Sequence, residues 1–173
     1  MVTGGLSGGG LSGGGGTHVA EAAKRVGGPC HTSGMATWKQ FEAEAGELAA
    51  QVRARFEAHE SHVLATLRKD GSPRVSGSEV QFDDGELTFG SMLAAVKARD
   101  LHRDPRCALH AHPTDGDAKV AGSAIEFPHP TGEAHAFRLD LTDAVLTTVD
   151  QSEQLLVIQH WQPGRGVRTT RRR

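Results

Sequence analysis

The stretch that decides the fold is His62–His112, which reads HVLATLRKDGSPRVSGSEVQFDDGELTFGSMLAAVKARDLHRDPRCALHAH. Short apolar runs alternate here with turn signals that contain Asp-Gly, a pattern typical of antiparallel hairpins. The two turns lie at Lys69–Ser72 and at Asp83–Gly85. A short helix is predicted over Leu93–His102, because an Asp-Pro pair stops it before the next strand begins.

Seven strands are predicted over the chain as a whole. They are Val63–Leu67, Pro73–Phe82, Glu86–Gly90, Cys107–His112, Ala118–Phe127, Ala136–Thr148 and Leu155–Trp161. Tight turns and a single helical crossover join them, which is typical of small barrels. We therefore predict a mainly β, α+β fold: a split antiparallel β-barrel with N-terminal helices and a short crossover helix.

The N-terminal helices are predicted from a capping box and an apolar stripe. Thr37 and Gln40 have the spacing of a capping box, in which the side chain of each residue accepts a hydrogen bond from the backbone amide of the other. A break is predicted near Gly46. The second helical piece carries apolar residues at intervals of four, which form one face suited to covering a sheet: Leu48, Val52 and Phe56.

Composition divides the chain into three parts. Residues 1–34 hold 12 of the 22 glycines and are predicted to be a disordered leader, with translation starting at Met35. The folded domain is predicted over 36–164. Residues 165–173 contain five arginines and are predicted to be a basic, flexible tail.

Charge and cysteine content indicate the class of partner and the compartment. Without the tail, 14 basic residues face 21 acidic ones, so the body lacks the basic face of a nucleic-acid module. Cys30 and Cys107 are interpreted as reduced thiols. No apolar run is long enough to span a membrane and no signal-peptide pattern is present, so the prediction is a cytoplasmic protein without membrane contact.

The second predicted strand is unusually polar. Arg74, Ser76 and Ser78 share one face, which either meets a polar ligand or belongs to an edge strand facing water. Both interpretations stay open from the residues alone.

A second polar feature follows the third strand. Ser91 lies at the junction of strand and helix, and Lys97 lies on the helix. Helix N-termini favour phosphate, and a nearby lysine adds a positive charge, although most helical lysines are simply solvated. Arg99 points to a different helical face from Lys97 and is the weaker candidate for a cofactor contact.

The stretch His62–His112 resembles the pyridoxamine 5′-phosphate oxidase-like family of flavin-binding split barrels. The shared pattern is a strand, a DGxPR turn, a second strand, a DGxL hairpin, a helix with K-A-x-x-L, and R-D-P-R before another strand. The resemblance implies a homodimer that binds FMN in a groove between subunits. A deazaflavin, the 8-hydroxy-5-deazaflavin coenzyme, is the alternative cofactor.

The resemblance also implies a set of cofactor-binding residues. Arg74 would hold the FMN phosphate, with Val75 and Ser76 beside it. Ser91 would add a hydroxyl and Lys97 a second cation. This assignment requires the guanidinium of Arg74 and the ammonium of Lys97 to face one shared hollow.

The resemblance further implies a flavin-dependent oxidoreductase that transfers hydride between the cofactor and an unidentified small molecule. Many members carry a polar pair before the helix lysine, where this sequence has Ala95 and Val96. That departure leaves a non-catalytic flavin- or haem-binding protein as the alternative. Catalytic residues are not identified.

The sequence contains no recognisable motif for a metal site or for a catalytic nucleophile. His110 and His112 share a strand face near Cys107, but a zinc site needs three or four ligands and further ones have no recognisable spacing. No GxSxG elbow is present. The sequence therefore predicts no metal site and no hydrolytic triad.

Overall fold

Two helices and nine strands succeed one another in a computed structural model, which describes residues 34–113 and 116–173. The predicted leader lies, apart from Gly34, outside the described residues. The elements are α1 Trp38–Glu57, β1 His62–Leu67, β2 Pro73–Ser78, β3 Val80–Asp83, β4 Glu86–Met92, α2 Val96–Arg103, β5 Arg106–His110, β6 Asp117–Phe127, β7 Ala134–Asp150, β8 Leu155–Gln162 and β9 Gly166–Arg172.

The strands form one antiparallel sheet in the order β2-β1-β5-β6-β7-β4-β3. The long strand β7 also pairs with β8, which pairs with β9. The β6–β7 pairing shifts register between Ala121 and Gly122, where a Cβ on the glycine would lie 2.0 Å from the Asp140 carbonyl oxygen. The arrangement is a split β-barrel with two helices, which confirms the predicted fold class.

Helix α1 begins as the sequence predicts. The Thr37 hydroxyl accepts from the Gln40 amide at 3.3 Å, and the Gln40 side chain accepts from the Thr37 amide at 2.8 Å. The predicted break near Gly46 is confirmed as a kink at Ala45, which has non-helical dihedral angles. The apolar stripe is buried in the core, as predicted. Within the described residues, no helix is long and apolar enough to cross a bilayer.

The prediction of a single strand over Pro73–Phe82 is wrong, because the structure divides this segment at Glu79 into β2 and β3. β2 pairs with β1 as far as Ser78, which lies opposite His62, the first residue of β1. Beyond Ser78, β1 has no further residue with which β2 could pair. The chain therefore turns and pairs with β4 from Val80 onward.

The crossover helix starts later than predicted. Ser91 and Met92 still belong to β4, where they pair with residues of β7, and α2 begins only at Val96. Ala95 is the N-cap and makes no side-chain hydrogen bond to the helix. The junction therefore places Ser91 in a strand rather than at the helix start.

The flexible tail predicted over 165–173 is wrong for Gly166–Arg172, which form β9. This strand pairs with β8 through seven residues, from Gln162 opposite Gly166 to Leu156 opposite Arg172. Its side chains are almost all exposed. A strand at a sheet edge can have both faces in solvent. Its sequence then lacks the alternation of apolar and polar residues by which a strand is predicted.

Candidate cofactor site

A cavity of about 870 Å³ lies where the β2–β3 junction, β4 and the turn between β6 and β7 meet. This volume is in the range of small-molecule and cofactor sites. One part of its wall is polar and includes Glu86, Ser91 and Lys97. The apolar part is formed by Phe89, Met92, Phe127, Pro130, Ala134 and Ala136.

Ser91 is 5% exposed, and its Oγ has no hydrogen-bond partner among the described residues. The β4–β7 pairing, with Ser91 opposite His135, fixes the backbone at this position. A buried hydroxyl without a partner is unfavourable, because it has lost its bonds to water. Ser91 is thus a buried residue of the cavity wall whose hydroxyl keeps unused hydrogen-bonding capacity.

Lys97 lies in the first turn of α2 and is half-buried. Its ammonium donates to the Gly77 carbonyl oxygen at 2.8 Å, which draws the side chain across to β2. Burial lowers the pKa of Lys97, and Glu79 partly offsets that effect. An anion entering the cavity would compensate this poorly solvated charge.

Glu86 adds an acidic group that sequence analysis did not identify. Its Oε2 is buried and has no hydrogen-bond partner in the described chain. Burial raises the pKa of Glu86 despite the attraction of Arg138, and Asp140 raises it further. Nothing in the local sequence distinguishes Glu86 from a surface glutamate at the start of a hairpin strand.

Arg74 does not share this cavity. Its Nε donates to Asp100 Oδ2 at 2.6 Å, and Arg103 donates to Oδ1 of the same carboxylate at 3.0 Å. Thr66 donates a third hydrogen bond at 3.1 Å. Burial disfavours the charged carboxylate, but these three donors outweigh it and hold the pKa of Asp100 below its ordinary value.

A separate hollow of about 670 Å³ contains the remaining basic residues of this region. Arg74 and Arg99 line it together with Arg68, Lys69 and Arg103. The structure thus brings Ser91 and Lys97 together, and Arg74 and Arg99 together, but does not join the two pairs within one chain. Val75 is 69% exposed, Ser76 is half-buried, and neither residue lines either hollow.

The larger cavity contains groups that fit a phosphorylated flavin, although Glu79, Asp83 and Glu86 also line it. An unpartnered hydroxyl and an ammonium offer a donor and a charge for a phosphate. The apolar wall offers contact area for a ring system. The fit rests on Ser91 and Lys97, with Arg74 outside it.

The family profile of pyridoxamine 5′-phosphate oxidase matches residues 48–137, more than half of the chain. The chain belongs to this family. The match covers α1 from Leu48 through the start of β7, and so includes every residue that lines the cavity except Arg138. Membership in the pyridoxamine 5′-phosphate oxidase family confirms the resemblance found in the sequence.

Solved structures agree with this fold. A pyridoxamine 5′-phosphate oxidase-related, FMN-binding protein from Nostoc punctiforme is 12% identical, with a TM-score of 0.58 over 75% of this chain and 96% of that one. PhzG from Burkholderia lata, solved with tetrahydrophenazine-1-carboxylic acid, is 14% identical, with a TM-score of 0.56 over 73% and 88%.

Proposed function

We propose that this protein binds FMN in the 870 Å³ cavity and acts as a flavin-dependent oxidoreductase on a small molecule. The alternative cofactor is the 8-hydroxy-5-deazaflavin coenzyme, which the same groups would suit. The observation that carries the proposal is the buried, unpartnered hydroxyl of Ser91 in the same cavity as the Lys97 ammonium.

The phosphate would be held by two groups. The Lys97 ammonium would neutralise it and the Ser91 hydroxyl would donate a hydrogen bond. Arg74 would act indirectly, because its bond to Asp100 holds α2, the helix that carries Lys97. The sequence-based assignment of Arg74, Val75, Ser76 and Arg99 as direct cofactor contacts stays a prediction.

Bound flavin supplies reversible hydride transfer, so the chain itself needs no nucleophile. Its own residues bind the cofactor, exclude water and control protons. The apolar wall, with Met92 and Phe127, would cover the ring. Burial raises the pKa of Glu86, so this carboxyl takes up a proton more readily than an exposed glutamate would.

A homodimer is part of the proposal. Met92 is 77% exposed and Leu93 56%, and both lie beside the cavity together with exposed Val96. Three large exposed apolar side chains within five residues of the chain are a feature typical of an interface. Light scattering of the purified protein would show twice the chain mass, whereas a monomer at all concentrations would contradict this part of the proposal.

The deciding experiment is titration of FMN, and separately of the deazaflavin, into Lys97→Met and into Lys119→Met. Lys119 is the matched control, because it pairs with Asp117 on β6 and does not line the cavity. A charge-assisted bond of about 1.5–3 kcal/mol predicts that Lys97→Met weakens binding roughly tenfold or more. Equal affinities in the two variants would refute the site.

The absorption spectrum of the purified protein distinguishes the cofactors. A two-band flavin spectrum or a single deazaflavin band supports the proposal, and a sharp Soret band points to haem instead.

A non-catalytic binder is the second candidate, and one observation favours it. Ala95 and Val96 precede Lys97 without a polar side chain, and Ala95 leaves the helix N-terminus uncapped by any side chain. The cofactor would then be held more loosely and without turnover. Reduction of the bound cofactor, followed by reoxidation with candidate acceptors, distinguishes an enzyme from a binder.

A further inference from the structure

Two histidines and a glutamate from three separate elements converge on the surface beside α2. His102 lies in the last turn of α2, Glu126 near the end of β6, and His135 at the start of β7. Because Glu126 lies opposite Phe137 in the β6–β7 pairing, His135 occupies the diagonal position on the same face. The fold therefore brings together side chains that are far apart in the sequence.

The distances within this cluster are short. Glu126 Oε2 lies 3.0 Å from His102 Nε2, and Glu126 Oε1 lies 2.6 Å from His135 Nδ1. All three ligand atoms fall within 4.8 Å of one another. Around a tetrahedral zinc ion with bonds of roughly 2.1 Å, ligand atoms are about 3.4 Å apart. The present separations, from 2.6 Å to at most 4.8 Å, bracket that value.

His135 is already oriented for ligation. Its Nε2 lies 3.2 Å from the carbonyl oxygen of Leu93, which can only accept a hydrogen bond. Nε2 therefore donates to this carbonyl, and Nδ1 donates to the Glu126 carboxylate at 2.6 Å. A metal ion would displace the proton on Nδ1. A ligating imidazole held at its second nitrogen by a backbone carbonyl is the usual outer-shell arrangement of protein metal sites.

Phe137 closes the inner side of the cluster. Its ring centroid lies 5.9 Å from that of His102 and 6.1 Å from that of His135, and the residue is 1% exposed. The outer side is open: the side chains of His102 and Glu126 are 42% and 43% exposed. An ion bound here would have three protein ligands and would keep at least one position for water.

We propose that His102, Glu126 and His135 form a binding site for a divalent transition-metal ion of the Zn²⁺ class. Two imidazoles and one carboxylate are the ligand set that zinc accepts when a fourth position stays open. The ion would replace two partly exposed ion pairs, which contribute little free energy by themselves. It would also cross-link the end of α2 to β6 and β7.

This site differs from the cofactor cavity. Phe127, Ala134 and Ala136, the sequence neighbours of Glu126 and His135, line that cavity. His102, Glu126 and His135 are not among the residues that line it. The inference is therefore independent of the proposed flavin function and extends the sequence analysis, which predicted no metal site.

The test is calorimetric titration of Zn²⁺ into the full chain after treatment with a chelator. The variants are His102→Asn and Glu126→Gln, two exposed positions where a smaller or neutral polar group leaves the core intact. His129→Asn is the matched control, since His129 lies in the β6–β7 turn and bonds to Thr131 instead. Each ligand variant should weaken Zn²⁺ binding at least tenfold, with the control unchanged.

Two further readouts identify the ligand geometry. Co²⁺ should give intense visible d–d bands in the wild type and in His129→Asn, but not in Glu126→Gln. Zn²⁺ should raise the melting temperature of the wild type and of the control only, because it binds the folded site. Equal Zn²⁺ affinity in all four proteins, or no binding to the wild type, would overturn the proposal.

Discussion

Arg74 on β2 and Asp100 on α2 form an ion pair in which Nε lies 2.6 Å from Oδ2. One turn earlier on the same helix, Lys97 donates to the carbonyl oxygen of Gly77, also on β2. The helix is thus fastened to the strand at two points. Arg74 therefore positions α2 rather than facing the cavity that Lys97 lines.

Replacing Asp100 with alanine should destabilise the fold strongly. Asp100 is 2% exposed and accepts from Arg74, Arg103 and Thr66, so its loss leaves a buried hydroxyl and two guanidinium groups without their acceptor. The expected decrease in the free energy of unfolding is about 2–4 kcal/mol. Urea denaturation followed by circular dichroism measures it.

Asp104→Ala is the matched control for that measurement. Asp104 also pairs with an arginine at 2.6 Å, but its partner Arg106 is largely exposed. Solvent-exposed pairs contribute little, so the control should unfold close to the wild type. Similar losses in the two variants would show that burial of the Asp100 cluster is not what stabilises it.

The local features of the fold could be predicted from the sequence, because the residues that determine them lie close together. The capping box joins Thr37 and Gln40, three positions apart. The second hairpin turns at Asp84 and Gly85, with φ of 48° and 77°. Asx-Gly pairs tolerate this left-handed region, so two residues suffice to predict the turn.

The contacts of the site could not be predicted in this way, because they join residues that are distant in the sequence. Arg74 and Asp100 lie 26 positions apart, and nothing near Arg74 shows that an acidic group of the next helix will bind it. A polar strand face predicts a polar partner, but not whether that partner is a ligand or a carboxylate of the same chain. Glu126 and His102 are likewise 24 positions apart.

Acidification should destabilise the protein through His62. This residue is 3% exposed, and burial lowers its pKa, with repulsion from His59 and His112 acting in the same direction. The unfolded chain then binds a proton near the ordinary value of 6.5 more readily than the folded chain does. Stability is therefore full above that value and decreases as the pH falls below it.

The measurement is the urea midpoint as a function of pH, from about 8 to 5.5, for the wild type, His62→Asn and His129→Asn. The difference between the first two isolates His62 from the other titrating groups. His62→Asn should flatten the decrease below pH 6.5, while His129→Asn, in the turn between β6 and β7, should keep it. A profile unchanged in His62→Asn would be evidence against His62 as the acid-sensitive group.

Gly122→Ala should distort the centre of the sheet. A Cβ at Gly122 would lie 2.0 Å from the Asp140 carbonyl oxygen, a backbone atom that cannot rotate away. The expected loss is about 1–3 kcal/mol or more, as for an overpacked core. Gly46→Ala is the control, since its Cβ would meet no atom within 4 Å. Thermal unfolding gives the melting temperatures of both variants. Equal melting temperatures would contradict the predicted clash.

Ser91→Ala should separate stability from cofactor binding. The Ser91 Oγ is buried without a partner in the described chain, so its removal relieves a desolvated hydroxyl and should leave the cofactor-free protein as stable as before, or up to about 1 kcal/mol more stable. If the same hydroxyl donates to the phosphate of FMN, the affinity for FMN should fall roughly fivefold to tenfold. Urea unfolding without cofactor and fluorescence titration with FMN measure the two quantities on the same preparation. A loss of stability without any change in FMN affinity would mean that Ser91 supports the fold and does not contact the cofactor.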